Sequence, residues 1–114
     1  MTQPSVPERL SHMLDAARTA LEISRGKTRD DLDRDVILQL ALTRLVEIIG
    51  EAAKNVPDAF RNEHPTIPWK QIAGARDWLA HAYFRIDLDQ LWTILSADLP
   101  SLVSELERLV PPDA

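Results

Sequence analysis

Between residues 37 and 56 two apolar stripes run side by side. Ile37, Ala41, Leu45, Ile48 and Ala52 form one, and Leu38, Leu42, Val46, Ile49, Ala53 and Val56 form the other. Both recur every three or four residues, the spacing that keeps side chains on one face of an α-helix, and their one-residue offset widens that face by about 100°. A helix apolar over so much of its girth sits either at the centre of a bundle or between its own bundle and a second subunit. In a chain of 114 residues few other elements remain to cover it, so the second arrangement is expected. Pro57 stops the helix at Val56.

The rest of the chain reads as helix too. Glycine occurs three times, and no run of β-branched or aromatic residues alternates with polar ones between turn signals. Ser5 and Glu8 have the spacing of a capping box, with Pro7 in the first turn, so a first helix carries Leu10, Leu14, Ala17, Leu21 and Ile23 and ends near Gly26. Residues 27–34 read as a charged connector, and the carboxylates from Asp30 to Asp35 suit the positive start of the second helix. Residues 58–68 read as a loop or short helical turn. Pro68 opens a third helix that fades near Phe84 to Asp87. Asp87 and Gln90 repeat the capping spacing ahead of a fourth, with Leu88, Leu91, Trp92, Leu95, Leu99, Leu102, Leu106 and Leu109, which Pro100 must kink or divide. The expected fold is an all-α antiparallel bundle of four main helices in a single domain over residues 1–114.

Charge and composition narrow the function. Thirteen Lys and Arg against eighteen Asp and Glu leave a net charge of −5, which excludes indiscriminate coating of nucleic acid by a bulk positive field. Residues 54–85 depart from that balance, with five basic residues (Lys54, Arg61, Lys70, Arg76, Arg85) against three acids (Asp58, Glu63, Asp77). A localised phosphate site therefore survives. Without cysteine there is no disulfide, thiol nucleophile or Cys-based zinc site. The start of the chain lacks a secretory signal and no apolar run approaches a membrane span, so a cytoplasmic location is expected.

The segment Ala75-Arg76-Asp77-Trp78-Leu79-Ala80-His81-Ala82-Tyr83-Phe84 brings a guanidinium, a carboxylate, an imidazole and a phenol onto one helix. Asp77 and His81 are four apart and share a face, so the carboxylate can fix the imidazole tautomer. Arg76 falls about 140° from His81, and so broad a polar face wants solvent or a partner. By spacing alone, a solvated surface ion pair outweighs an active site as the reading of this face.

Arg76 to Tyr83 matches the R-x4-H-x-Y signature of HEPN domains. Ile49-Gly50-Glu51-Ala52-Ala53-Lys54, Pro68-Trp69, Ile72-Ala73-Gly74-Ala75-Arg76 and Tyr83-Phe84-Arg85-Ile86-Asp87 resemble the HepT-like (DUF86) branch from about residue 8 to 110. Asp77 stands where many members carry Asn, and Ala82 where Gly is frequent. The resemblance implies a helical subunit that forms a homodimer or higher oligomer with two motifs in one cleft. It implies a metal-independent ribonuclease toxin of a type VII toxin–antitoxin system, without a cofactor, acting on RNA such as tRNA or mRNA. It also implies a cognate minimal nucleotidyltransferase (MNT) antitoxin that adenylylates Tyr83. The alternative is a non-catalytic subunit that binds nucleotide or substrate for that transferase.

These side chains suit attack of an RNA 2′-hydroxyl on its own phosphate. His81 supplies acid and base, Arg76 clamps the phosphate, Asp77 orients His81, and Tyr83 contacts RNA by hydrogen bond or stacking. His12 and His64 are isolated and make no metal-ligand spacing. Gly50 suits a close helix approach, and Glu51 reads as a structural hydrogen-bond or ion-pair partner more readily than as a cleft residue. Trp69, Trp78 and Trp92 read as packing more readily than as base-stacking platforms.

Overall fold

A computed structural model describes residues 3–79 and 86–111, and of residues 76–79 the backbone alone. Helix α1 (Val6–Ile23) starts as its sequence dictates: the Ser5 hydroxyl oxygen accepts from the Glu8 N–H at 3.2 Å and the hydroxyl donates to Glu8 Oε1 at 3.1 Å. It buries Leu10, Met13, Leu14, Ala16, Ala17 and Ala20, while Ile23 at its end is exposed. Gly26 then turns the chain with φ +74°, a left-handed conformation that costs glycine little.

The connector differs from the sequence reading. Residues Arg29–Arg34 form a short helix, α2, because Thr28 and Asp31 close a reciprocal capping box: Asp31 N–H donates to Thr28 Oγ1 at 3.1 Å and Thr28 N–H to Asp31 Oδ2 at 2.8 Å. Leu32 is fully buried beneath it, and Arg29 reaches Asp89 at 2.7 Å as well as Asp33. The bond from the Thr28 backbone, reinforced by its hydroxyl, holds the Asp31 carboxyl below its ordinary range. Its contribution to stability is therefore present above the unfolded carboxylate pKa and is lost as pH falls through the lower folded value. Unfolding wild type and Asp31→Asn across pH 7 to 2 should show wild type ahead at neutral pH and the difference closing on acidification.

Asp35 breaks the path and caps α3 (Val36–Lys54), its carboxylate accepting from Leu38 N–H at 2.9 Å. Of the two stripes on α3, Leu38, Leu42, Val46, Ile49, Ala53 and Val56 are buried. In the other stripe Ala52 is buried and Leu45 and Ile48 are half-covered, while Ile37 is 80% exposed, next to Val36 at 62% and Leu40 at 58%. Helix α3 is the axis of the bundle, packed against both α1 and α5 (Trp69–Leu79), and α7 (Leu99–Glu107) lies against α1. Arg18 ties α1 to α7 through Glu107 at 2.8 Å.

The C-terminus of α3 is closed by Arg61, which counted above only toward the basic balance of residues 54–85. In α4 (Asp58–Glu63), Arg61 donates from Nε to Val56 O at 2.9 Å and from Nη2 to Ala53 O at 2.9 Å and Lys54 O at 2.8 Å. A guanidinium over the end carbonyls meets both their missing donors and the negative end of the dipole. Arg61 thus belongs to the scaffold rather than to a phosphate site. Arg61→Ala should lower unfolding free energy in urea by about 2 kcal/mol, and Arg61→Lys should recover less than half of that because ammonium lacks the fork.

Trp69 opens α5 (Trp69–Leu79) and is nearly buried, its indole N–H donating to His64 O at 3.0 Å and its ring meeting Phe60 edge-on. Packing is its role, as the spacing implied. His64 lies against Phe60 with ring centroids 4.5 Å apart.

After Asp87, whose carboxylate accepts from Gln90 N–H at 3.0 Å, helix α6 (Leu88–Thr93) widens into a π-helical turn (Ile94–Asp98) and continues as α7 (Leu99–Glu107). Leu91, Leu95 and Leu99 are spaced four apart twice, which on a plain α-helix would drift by about 80°. The wider turn absorbs the drift, and all three stay buried with Leu102 and Leu106. Pro100 sits in the first turn of α7, so the expected break takes the form of a π turn ahead of it.

Candidate functional site

Helix α5 is set on α3 by one close approach. A Cβ built on Gly50 would lie 3.0 Å from Ile72 O and 3.5 Å from Ala73 O, so glycine there lets the two backbones meet. Arg76 follows Ile72 by four residues and Asp77 follows Ala73 by four, which puts both on the turn after the clamp, about 6 Å further along α5. The last described turn of α5 therefore follows directly on this close approach of the two backbones. His81 and Tyr83 lie outside the described residues, as does the expected end of the third helix near Phe84, and Trp78 is described by its backbone alone.

Two hollows border α3. One, of about 180 Å³, lies between α5 and the π turn with α7 and is lined by Val46, Ile49, Ile72, Ala75, Leu102 and other side chains. Its mouth carries Thr66, whose hydroxyl donates to Glu105 Oε2 at 3.1 Å, and Asp98, whose carboxyl is pushed upward by burial. An apolar floor with carboxylates at the rim offers nothing to a phosphate. The second hollow, about 230 Å³, lies between α1 and α3 and is lined by Arg9, His12, Arg44, Ile48, Glu51 and Ala52. His12, isolated in sequence, lines this hollow together with Arg9 of its own helix and Arg44 of α3. Only the fold could reveal that grouping.

Glu51 borders this second hollow, and its carbonyl accepts from Asn55 Nδ2 at 2.9 Å. Asp30, Asp31, Asp33 and Asp35 serve the α2 and α3 starts by capping and by pairing with Arg34 and Arg29. Among the described residues no group of three or more His, Asp or Glu side chains is arranged to hold a metal, and no helix is long and apolar enough to cross a membrane.

Residues 13–109 match the family described as Ribonuclease HepT-like, a span that includes all four motif residues. The chain belongs to that family. A Thermococcus cleftensis protein named "Probable ribonuclease HepT" is 41% identical over 100 residues, covering 88% of this chain and 91% of its own. A Caldanaerobacter subterraneus protein whose name assigns it as an RNase by inference is 37% identical over 101 residues, 89% of this chain and 90% of that one. A Methanocaldococcus jannaschii protein named for both a gamma-glutamylcyclotransferase and an RNase is 40% identical over 101 residues, of which this chain covers 46%. No solved structure matches. As a HepT-like family member the chain is all-helical throughout its described residues, and Gly50 and Ile72 to Arg76, which carried the resemblance, form the α3–α5 seam.

Proposed function

We propose that this HepT-like chain is an endoribonuclease that cleaves RNA without a metal, acts as the toxin of a type VII pair, and is silenced by a cognate MNT-type antitoxin that adenylylates Tyr83. The observation that carries the reading is the family match across the motif, joined to the placement of Arg76 one turn beyond the Gly50 clamp. In this reading His81 removes the 2′-hydroxyl proton, and a second His81 from a partner copy protonates the leaving oxygen. Arg76 balances charge on the phosphorane, and Asp77 holds the His81 imidazole in one tautomer. Adenylylation of Tyr83 adds bulk and negative charge where RNA phosphate must lie.

A homodimer is part of the proposal. Its support is the exposed apolar surface of Val36, Ile37 and Leu40 at the start of α3, on the helix whose girth is too apolar for one bundle. Expression alone should arrest growth, the partner transferase should relieve the arrest, and the intact mass of the co-expressed protein should rise by AMP increments that Tyr83→Phe abolishes. Unimpaired growth at high expression, with RNA left intact by purified protein, favours the non-catalytic binding subunit instead.

A further inference from the structure

Arg9 and His12 on α1 and Arg44 on α3 converge on one open groove floored by Ile48 and Ala52. In a chain of net charge −5, two guanidinium groups and an imidazole around a single hollow, with Glu51 as the acid among its described lining residues, leave that hollow locally positive. Arg44 is 71% exposed and meets Glu47 only at 3.8 Å, and Arg9 gives one Nη2 hydrogen bond to the neutral Gln3 Oε1 at 3.2 Å. Each guanidinium has five donors, so both retain capacity for phosphate oxygens. Arg44 sits six residues before Gly50 on α3, about 9 Å along the axis and about 120° round it from the α5 seam.

We propose that Arg9, His12 and Arg44 form an auxiliary phosphate subsite that holds the RNA backbone away from the cleavage motif. The subsite rests on RNA being the substrate, and it adds an exosite to that reading. A second copy of the chain is the poorer occupant: a two-fold contact centred here would set the two guanidinium groups against their own images, and the exposed apolar side chains Val36, Ile37 and Leu40 lie one to two turns nearer the start of α3.

The test uses fluorescein-labelled RNA oligonucleotides and the full-length chain, comparing wild type, Arg9→Gln, Arg44→Gln and the double variant, all at exposed or half-exposed positions. Fluorescence anisotropy over a salt series reads binding, cleavage of a dinucleotide and a long RNA reads catalysis, and light scattering reads molar mass. The double variant should bind the long RNA roughly tenfold more weakly, with a log–log salt slope shallower by about 1.4, while kcat on the dinucleotide is unchanged. Unaltered binding and slope in the double variant overturn the subsite while leaving the ribonuclease reading intact. A fall in molar mass that accounts for the lost binding also overturns it, because the groove is then a subunit contact. If wild type binds RNA in a groove-dependent way but cleaves nothing, the subsite stands and the ribonuclease reading fails; if wild type binds no RNA, the subsite is overturned.

Discussion

Purified Arg76→Ala and His81→Ala should each lose RNA cleavage by about 10²- to 10⁴-fold while unfolding within a few degrees of wild type. The size follows from their roles. Removing the general acid–base forfeits proton transfer in the transition state, and removing the guanidinium leaves charge on the phosphorane unbalanced. Lys at position 76 should recover part of the phosphate affinity but little of kcat, since an ammonium provides charge without the planar fork. Asp77→Asn is the milder change, because an amide still accepts a hydrogen bond from the imidazole but does not favour its charged form. Cleavage assayed across pH with an RNA of defined sequence separates these outcomes; undiminished turnover by His81→Ala would remove the chemistry from this motif.

Gly50→Leu should be the most damaging substitution for stability on the α3–α5 seam. Any Cβ at Gly50 starts 3.0 Å from the Ile72 carbonyl oxygen, which is helical backbone and cannot rotate aside as a side chain does. A leucine must push α5 off α3, and overpacking of this kind costs about 3 kcal/mol, or roughly 15 °C of melting temperature in a domain this small. Because Arg76 is carried on the next turn of α5, cleavage should fall further than the unfolded fraction explains. Gly74 provides the opposite sign. It is helical, and among the described residues no atom beyond its chain neighbours and its own helix backbone lies within 4 Å of the Cβ it would gain, so Gly74→Ala should raise stability by about 0.5–1 kcal/mol through helix propensity alone. Thermal melts of the two variants beside wild type check both signs.

The pair also shows what the sequence made legible. The α3 stripes, the Ser5 and Asp87 caps, and Pro57 as a stop reappear in the fold because each is a local rule acting over three or four residues. Helix α2 had such a signal in Thr28 and Asp31, but the density of charge around it read as connector. The π turn had one as well, in the repeated spacing of four among Leu91, Leu95 and Leu99. Arg61 had none: its three carbonyl acceptors are the end of a helix, and reaching them depends on the angle at which α4 folds back. The grouping of Arg9, His12 and Arg44 was equally hidden, since it requires the pairing of α1 with α3. At the motif, sequence resemblance named the residues proposed to react, and the distance between two backbones bears out Gly50 as a point of close helix approach, which its place in the sequence had suggested without naming α5 as the neighbour.

The π turn at Ile94–Asp98 also bears on how this chain compares with its relatives. Such a turn accommodates one residue more than the α-turn it replaces, so it trades chain length for rotational phase. A relative lacking one residue here can keep both flanking helices in place by closing the turn to plain α-helix, provided its leucines fall three rather than four apart. Alignments should therefore permit a one-residue gap within 94–98, and residues beyond it should be matched by the face they present rather than by their count from the motif.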